Sequence, residues 1–331
     1  MDRDLPDMDT VHAALAVAVR APSVHNTQPW LFRVGPRTVH LFADPSRQLP
    51  ATDPQGRDVL MSCGAALHHL RIGFAALGWA CDVHRLPNPE QPDHLAAIEL
   101  TRHEITTEDV RMAVAAVSRR SDRRRFSSVA VPYDLLATLS SRASGERAVL
   151  RPVVDPNTYR KLAIACAEAV VLQASDTEYL TELSRWTGQH TGSPDGVPAA
   201  NIPRSTALHT GLPVRPFPGG ELVQRDELGP DDEETVLAVL GTTADDRCAR
   251  LRVGEAMSAV LLAATELGLA TCPLSHPFEV AATRDFVRRQ VLHDTLYPHI
   301  VLRIGWPVVG VEPVPLTPRR PIGDVLAPLE F

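Results

Sequence analysis

Lysine is all but missing from these 331 residues: of 33 basic side chains, only Lys161 is lysine and the rest are arginine. Aromatic residues are scarce too, at 5%, so the core must be filled mainly by aliphatic side chains. No Cys-x-x-Cys pair occurs among Cys63, Cys81, Cys166, Cys248 and Cys272. A disulfide framework and a zinc site both lack their spacing, and buried thiols in a reducing cytoplasm are expected. The histidines, His68-His69 included, show no metal-ligand spacing either. There is no Gly-x-Gly-x-x-Gly and no P-loop, which removes the phosphate cradle of a Rossmann or NTPase site. Ser275-His276 lacks a Gly-x-Ser-x-Gly elbow, and adjacent residues bond poorly as nucleophile and base, so a hydrolase is disfavoured. No apolar run approaches 18 residues and the opening stretch, Met1 to Thr10, is acidic, so neither a spanning helix nor a signal peptide is expected. A positive excess is absent as well: the net charge of −7 argues against a general nucleic-acid surface.

What is present is ordinary for a globular chain, with 44% hydrophobic and 22% charged residues, and the length allows one large domain or two. Helical spacing runs from Thr10 to Arg20 and stops at Ala21-Pro22. Strands are expected at Leu31 to Val34 and Thr38 to Phe42. Thr52-Asp53-Pro54 resembles a helix cap, followed by an apolar face from Leu60 to Leu77 that Gly78 ends. Strands at Asp82 to Leu86 and Leu95 to Leu100 complete a first half. The second half should hold helices at Glu108 to Val117, after Pro132, and onward to Trp186, with a strand at Val149 to Val154 between them. A strand at Thr235 to Leu240, a helix at Arg247 to Leu267 and a strand at Ile300 to Ile304 follow. The stretch 187–232, rich in proline and glycine, is too long for an ordinary connection and is read as a lid.

The two long helices resemble each other. Gly64, Ala66, Leu77, Gly78 and Ala80 align without gaps with Gly254, Ala256, Leu267, Gly268 and Ala270. Small residues along one helix face allow another helix to approach closely, so the pattern suits two helices packed at the centre of a pseudo-dimer.

Four segments have chemical potential. Pro22-Ser23-Val24-His25-Asn26-Thr27-Gln28-Pro29-Trp30 combines backbone-fixing prolines with the hydrogen-bonding side chains of Ser23, Asn26 and Gln28; on its own it also reads as a capped helix end and a turn. Arg119-Arg120-Ser121-Asp122-Arg123-Arg124-Arg125 is a credible clamp for a phosphate ester, since guanidinium groups bind phosphate by paired, charge-assisted hydrogen bonds; alone it also reads as a solvated basic strip. Thr271-Cys272-Pro273-Leu274-Ser275-His276 and Pro318-Arg319-Arg320-Pro321 lie late in the chain and are weak signals singly.

Together these segments resemble the nitroreductase-like FMN family, most closely its Acg-type branch, and the resemblance covers nearly the whole chain. Arg119-Arg120-Ser121 is similar to that family's Arg-Arg-Ser opening. Pro22-Ser23 through Gln28-Pro29-Trp30 is similar to its Pro-Ser-x-x-Asn-x-Gln-Pro-Trp element, and Arg319-Arg320 to its C-terminal basic pair. The resemblance implies an α+β fold, here a single-chain pseudo-dimer of two fused nitroreductase-like halves around central long helices, 8–105 and 106–331, with 187–232 as a lid insertion in the second. It implies one FMN per chain between the halves. Arg119, Arg120, Ser121, Arg123, Arg319 and Arg320 would hold the phosphate and ribityl chain, Pro22, Ser23, Asn26 and Gln28 would meet the flavin from the other half, and Leu274 and Ser275 would lie near its N5. The implied activity is hydride transfer from NAD(P)H through FMN to a small-molecule acceptor, a nitroaromatic or quinone, with no protein acid or base and no metal. A non-enzymatic FMN-sequestering protein with a lid-occluded flavin is the alternative. Neither nucleic acid nor membrane is an expected partner, and the chain would be a cytoplasmic monomer or homodimer.

Overall fold

The computed structural model describes residues 5–35, 37–190, 192–204, 212–224 and 233–329. Helix α1 (Met8–Ala18) starts at Asp7, whose carboxylate accepts the Thr10 amide at 2.8 Å. It is followed by β1 (Trp30–Val34) and β2 (Thr38–Ala43), and β2 alternates cleanly, with Val39, Leu41 and Ala43 facing the core.

Helix α2 (Arg57–Ala76) begins later than the expected Thr52-Asp53-Pro54 cap. Gly56 is its N-cap residue in the left-handed region (φ 63°), and Asp53 reaches forward across that turn to accept the amides of Arg57 at 2.7 Å and Val59 at 2.9 Å. Asp53 therefore serves the helix terminus from outside the first turn. The left-handed Gly78 (φ 82°) closes α2, as expected. By length and composition α2 is apolar enough to cross a membrane, but 78% of its most apolar window is buried within the protein. Strands β3 (Trp79–Arg85) and β4 (His94–Arg102) complete the sheet.

The chain continues through α3 (Thr107–Ser118), closed at its start by a reciprocal Thr106–Asp109 capping box, then α4 (Tyr133–Gly145), β5 (Val149–Pro152), α5 (Pro156–Ala174) and α6 (Thr177–Trp186). Short strands β6 (Thr187–Gln189) and β7 (Val197–Pro198) pair in parallel within 187–232. Strand β8 (Val236–Thr242) leads to α7 (Arg247–Glu266), capped by Asp246. Then come β9 (Ala270–Leu274), α8 (His276–Glu279), α9 (Ala281–Gln290), β10 (Tyr297–Gly305) and β11 (Leu326–Pro328). Sequence reading did not foresee β9, α8, α9 or β11.

The fold class is α+β, as expected. One sheet runs β11-β1-β2-β4-β3 and the other β5-β8-β10-β9. Apart from β11, which adds in parallel beside β1 with Phe32 opposite Leu326, the pairing in both sheets is antiparallel. In each sheet the strand directly after the long helix forms an edge, β3 in one and β9 in the other, while the strand before the helix is interior, β2 third of five and β8 second of four.

Between the sheets α2 packs along α7 with almost no separation. A Cβ on Gly64 would lie 2.0 Å from the Leu251 carbonyl oxygen, and one on Gly254 would lie 2.0 Å from the Met61 carbonyl oxygen. The two contacts are reciprocal: Met61 and Gly64 stand 190 positions before Leu251 and Gly254. Such an exchange of the same patch on both partners is what a twofold contact requires. Fully buried Glu255 on α7 adds a charged tie, pairing with Arg71 at 2.9 Å and with Arg85 at 2.7 Å.

Candidate functional site

At the end of α1 the chain turns sharply. His25, Asn26 and Gln28 have φ values of 45°, 55° and 52°, unusual for residues with side chains and sustained only where the surroundings impose them. Ser62 on α2 accepts the Val24 amide at 3.2 Å, and Ser23 accepts the Gln28 amide at 2.9 Å. Pro22 and Ser23 then line a cavity. Asn26 and Gln28 do not line it. The Asn26 amide nitrogen donates to the carbonyls of Gly196 (3.0 Å) and Pro318 (3.3 Å). Gln28 donates to the Pro194 carbonyl (2.8 Å) and accepts the Arg320 backbone amide (2.9 Å). Both therefore hold the 187–232 segment and the C-terminal tail in place.

The arginine segment following α3 docks beside β9: Ser121 bridges to Thr271, and the Asp122 amide donates to the Thr271 carbonyl at 2.9 Å. Ser121 and Arg123 line the cavity. Asp122 turns back to bind Arg124, and Arg125 faces Glu233 at 3.8 Å, so these two guanidinium groups are matched by protein carboxylates. Arg119 is different. It is 5% exposed and donates to Ser121 Oγ at 3.3 Å, while its Nε finds no partner among the described residues. Burial, with Arg120, Arg20 and Arg123 nearby, pushes its pKa down to about 10. Burial likewise pushes Arg319 well below the usual arginine range, assisted by Arg119, Arg20 and Arg120; its Nη groups donate to the carbonyls of Thr317, Pro318, Arg20 and Ala21, and its Nε is unpartnered among the described residues. None of Arg20, Arg119, Arg120 and Arg319 forms an ion pair with a carboxylate among the described residues. His69 on α2 completes this corner: it feels Arg119 and Arg319, is held neutral by burial, and its buried Nε2 has no partner among the described residues. Like charges gathered out of water without a counter-ion form a receptor for an anion.

Arg320 does not join that receptor. It donates to the carbonyls of Gln28 and Asp324 and lies 3.8 Å from Asp44. Arg120 is occupied by the carbonyls of Val117 and Arg119, though its charge is felt by Arg119 and Arg319.

The cavity opens to solvent, and the space between its walls, open solvent at the mouth included, is about 1070 Å³. Its apolar wall includes Met61, Met257, Leu274 and Ile300, and Ser275 stands beside Leu274 at the end of β9. Described parts of 187–232 form the opposite wall through Ile202, Pro203, Val214, Arg215 and Phe217; residues 191, 205–211 and 225–232 lie outside the described set. This wall is strongly tied down. Arg215 bonds both His25 and Glu279, Arg47 pairs with Asp195, Arg123 lies 4.9 Å over the Phe217 ring, and Asn201 donates to the Pro315 carbonyl at 2.7 Å.

No family model matches the sequence. "Putative NAD(P)H nitroreductase Rv3131" of Mycobacterium tuberculosis is 44% identical over 326 residues, spanning 98% of this chain and 93% of the relative. The chain belongs to the nitroreductase-like family. A second member from the same organism, "Putative NAD(P)H nitroreductase acg", is 37% identical over 319 residues, spanning 96% of this chain and 95% of its own length. A solved nitroreductase with bound FMN from Desulfitobacterium hafniense covers 66% of this chain and 98% of its own, at 15% identity and a TM-score of 0.40, a likeness too distant to carry any argument.

For this nitroreductase-like chain, the structure thus brings Pro22, Ser23, Ser121, Arg123, Leu274 and Ser275 to one cavity and sets Arg119 and Arg319 behind Ser121. It separates Asn26, Gln28 and Arg320 from the lining. Sequence reading missed Asp58, Ser62, Arg215 and His69. The α2 residues among them fall on one helical stripe (58, 62, 69), a signal that was present but indistinguishable from an ordinary core face. Arg215 in Val214-Arg215-Pro216 carries no sequence signal.

Proposed function

We propose that the chain binds one FMN between its two sheets and is an FMN-dependent oxidoreductase. The observation that carries this is the corner of Arg119 and Arg319, which has no carboxylate counter-ion among the described residues and adjoins Ser121 of a cavity with a largely apolar wall. A phosphate would supply the missing counter-charge, and the cavity has room for an aromatic ring system. The residues present fit the group. Arg119 and Arg319, with Arg20 and Arg120 adding field, would neutralise the phosphate, and His69 Nε2 would meet an acceptor or donor there. Ser23, Ser121 and Arg123 would satisfy ribityl and ring oxygens, and Leu274 and Ser275 would stand at the reacting edge. From Asp58 to His69 the α2 axis advances about 16 Å, in keeping with a long ligand lying along it.

When bound, the flavin supplies the centre that takes hydride from NAD(P)H and passes electrons to a nitroaromatic or quinone acceptor. The halves 8–105 and 106–331 act as two fused subunits. Each contributes one set of ligands, so one complete flavin site forms per chain, and the chain works in the cytoplasm. The 187–232 segment acts as a lid.

A second reading, FMN sequestration without turnover, is favoured by how firmly that lid is anchored: closed over the ring face, it would exclude both nicotinamide and acceptor. The purified protein should be yellow with one FMN per chain. Anaerobic mixing with NADPH should bleach the flavin promptly under the first reading and slowly or not at all under the second. A colourless preparation that does not take up added FMN would end both.

A further inference from the structure

Three carboxyl groups meet at the N-terminal end of α2: Asp53, Asp58 and Glu279. Two of them are fully supplied with donors. Asp53 accepts the amides of Arg57 and Val59. Glu279 accepts from Arg215, from Ser275 Oγ at 2.7 Å and from Gln173 Nε2 at 2.6 Å. Asp58 is 6% exposed, lines the cavity, and has neither a hydrogen bond nor an ion pair to its carboxyl among the described residues. The charged groups that act on it are Asp53 and Arg57 beside it, Glu279 on α8, Arg215 on the lid, and Arg284 on α9. Both carboxylate neighbours oppose a third negative charge.

Three carboxyls this close cannot all ionise in a buried site, and the proton settles where no donor rewards the anion. That place is Asp58. Asp53 and Glu279 need their lone pairs for the donors already facing them. Burial, then Asp53 and Glu279, hold the Asp58 carboxyl well above the usual carboxylate range, with Arg215 and Arg57 working in the other direction. A neutral carboxylic acid thus faces the same cavity as Leu274, Ser275 and Ser23.

We propose that Asp58 is the proton donor of the half-reaction in which the acceptor is reduced, delivering H⁺ to the oxygen of the acceptor as the hydride equivalent arrives. This rests on the flavin reading above and adds to it a protein acid that the sequence did not indicate. For a quinone the balance is complete. NAD(P)H supplies two electrons and one hydrogen, the Asp58 O–H bond breaks, an O–H bond forms on the acceptor, and the products are hydroquinone, NAD(P)⁺ and the Asp58 carboxylate. Water then returns the proton to Asp58. The preference is for acceptors whose oxygen must be protonated on reduction, over those that take electrons alone.

The test uses the purified holoprotein and Asp58→Asn, which keeps the shape and removes the acidic proton. Infrared spectra at pH 7 should contain the carbonyl band of a protonated carboxylic acid that Asp58→Asn abolishes. Turnover with a benzoquinone should fall about 10²–10⁴-fold in the variant, the range for a general acid, while turnover with ferricyanide, which needs no proton, should change by less than about threefold. Wild-type benzoquinone turnover should decline as pH rises through the raised Asp58 pKa. Should Asp58→Asn fail to fold, Asp58→Glu keeps the acid, and its benzoquinone pH profile should shift while its ferricyanide rate holds. Absence of the infrared band at pH 7, or equal losses with both acceptors, overturns the proposal even if FMN is bound. A protein that binds no FMN overturns the underlying flavin reading instead, and the infrared band separates the two failures.

Discussion

Asp58 and Arg119 are ionisable groups placed where the charged form of each is costly. The Asp58 pKa is raised in the folded protein, so its stabilising contribution is present at acid pH and is lost as pH rises through the folded value. Asp58→Asn should therefore raise the melting temperature at pH 8 and leave it nearly unchanged at pH 4, which scanning calorimetry at the two pH values would reveal. Arg119 is positive, buried and surrounded by like charges. Arg119→Met should stabilise the FMN-free protein, because an uncompensated buried charge disappears, and should weaken FMN about 10–100-fold, the loss expected for charge-assisted hydrogen bonds of about 1.5–3 kcal/mol. Thermal shift without FMN and fluorescence titration with it measure the two effects. If FMN binding is unchanged, the phosphate does not sit there. That Arg119, Ser121 and Arg319 suit a phosphate was open to the sequence, since guanidinium groups pair with phosphate esters, although residue type alone left a solvated basic strip as the alternative. The role of Asp58 was not, since an aspartate in the first turn of a helix ordinarily signals a favourable dipole contact; only its distance from every donor reverses that meaning.

At the scale of elements, the contact between α2 and α7 was visible as small residues recurring at the same places in two helices. Its cost structure follows from backbone, which cannot move aside. Gly64→Ala should destabilise by at least about 1–3 kcal/mol through overpacking against the Leu251 carbonyl, read as a lower urea midpoint with unchanged slope. The described part of 187–232 that walls the cavity is held in part by Arg215, whose guanidinium joins His25 and Glu279. Arg215→Ala should accelerate anaerobic flavin bleaching by NADPH if the lid gates access, and no change in that rate would rule out gating through this latch. Elements that escaped sequence reading share a physical reason. Strand β9 contains Pro273, which argues against a central strand; it is tolerated because β9 is an edge. Strand β11 lies in a proline-rich tail and exists only because β1 offers it a free edge. The start of α2 was misplaced because Asp53 caps from outside the helix.

For the whole molecule, three histidines buried in different places set the acid limit of stability. Burial first, then neighbouring arginines, push His68, His276 and His299 down to about 3, so they are neutral in the fold. The unfolded chain takes up protons at these sites below its ordinary histidine pKa, and the folded chain does so only near 3. Stability should fall as pH drops from about 6.5 toward 3, by up to about 1.4 kcal/mol per histidine per pH unit, and denaturant midpoints across that range would reveal the slope. The composition, the absence of metal and nucleotide motifs, the paired long helices and the arginine-rich and proline-bounded segments belong to the sequence itself, because they depend only on residue type and on spacing within one element. Which of those residues share a cavity was decided by tertiary structure alone. Asn26 and Gln28 became anchors, Arg119 and Arg319 met from opposite parts of the chain, and Asp58 was left without a donor, since burial and the position of partners distant in sequence are properties of packing and not of any local pattern.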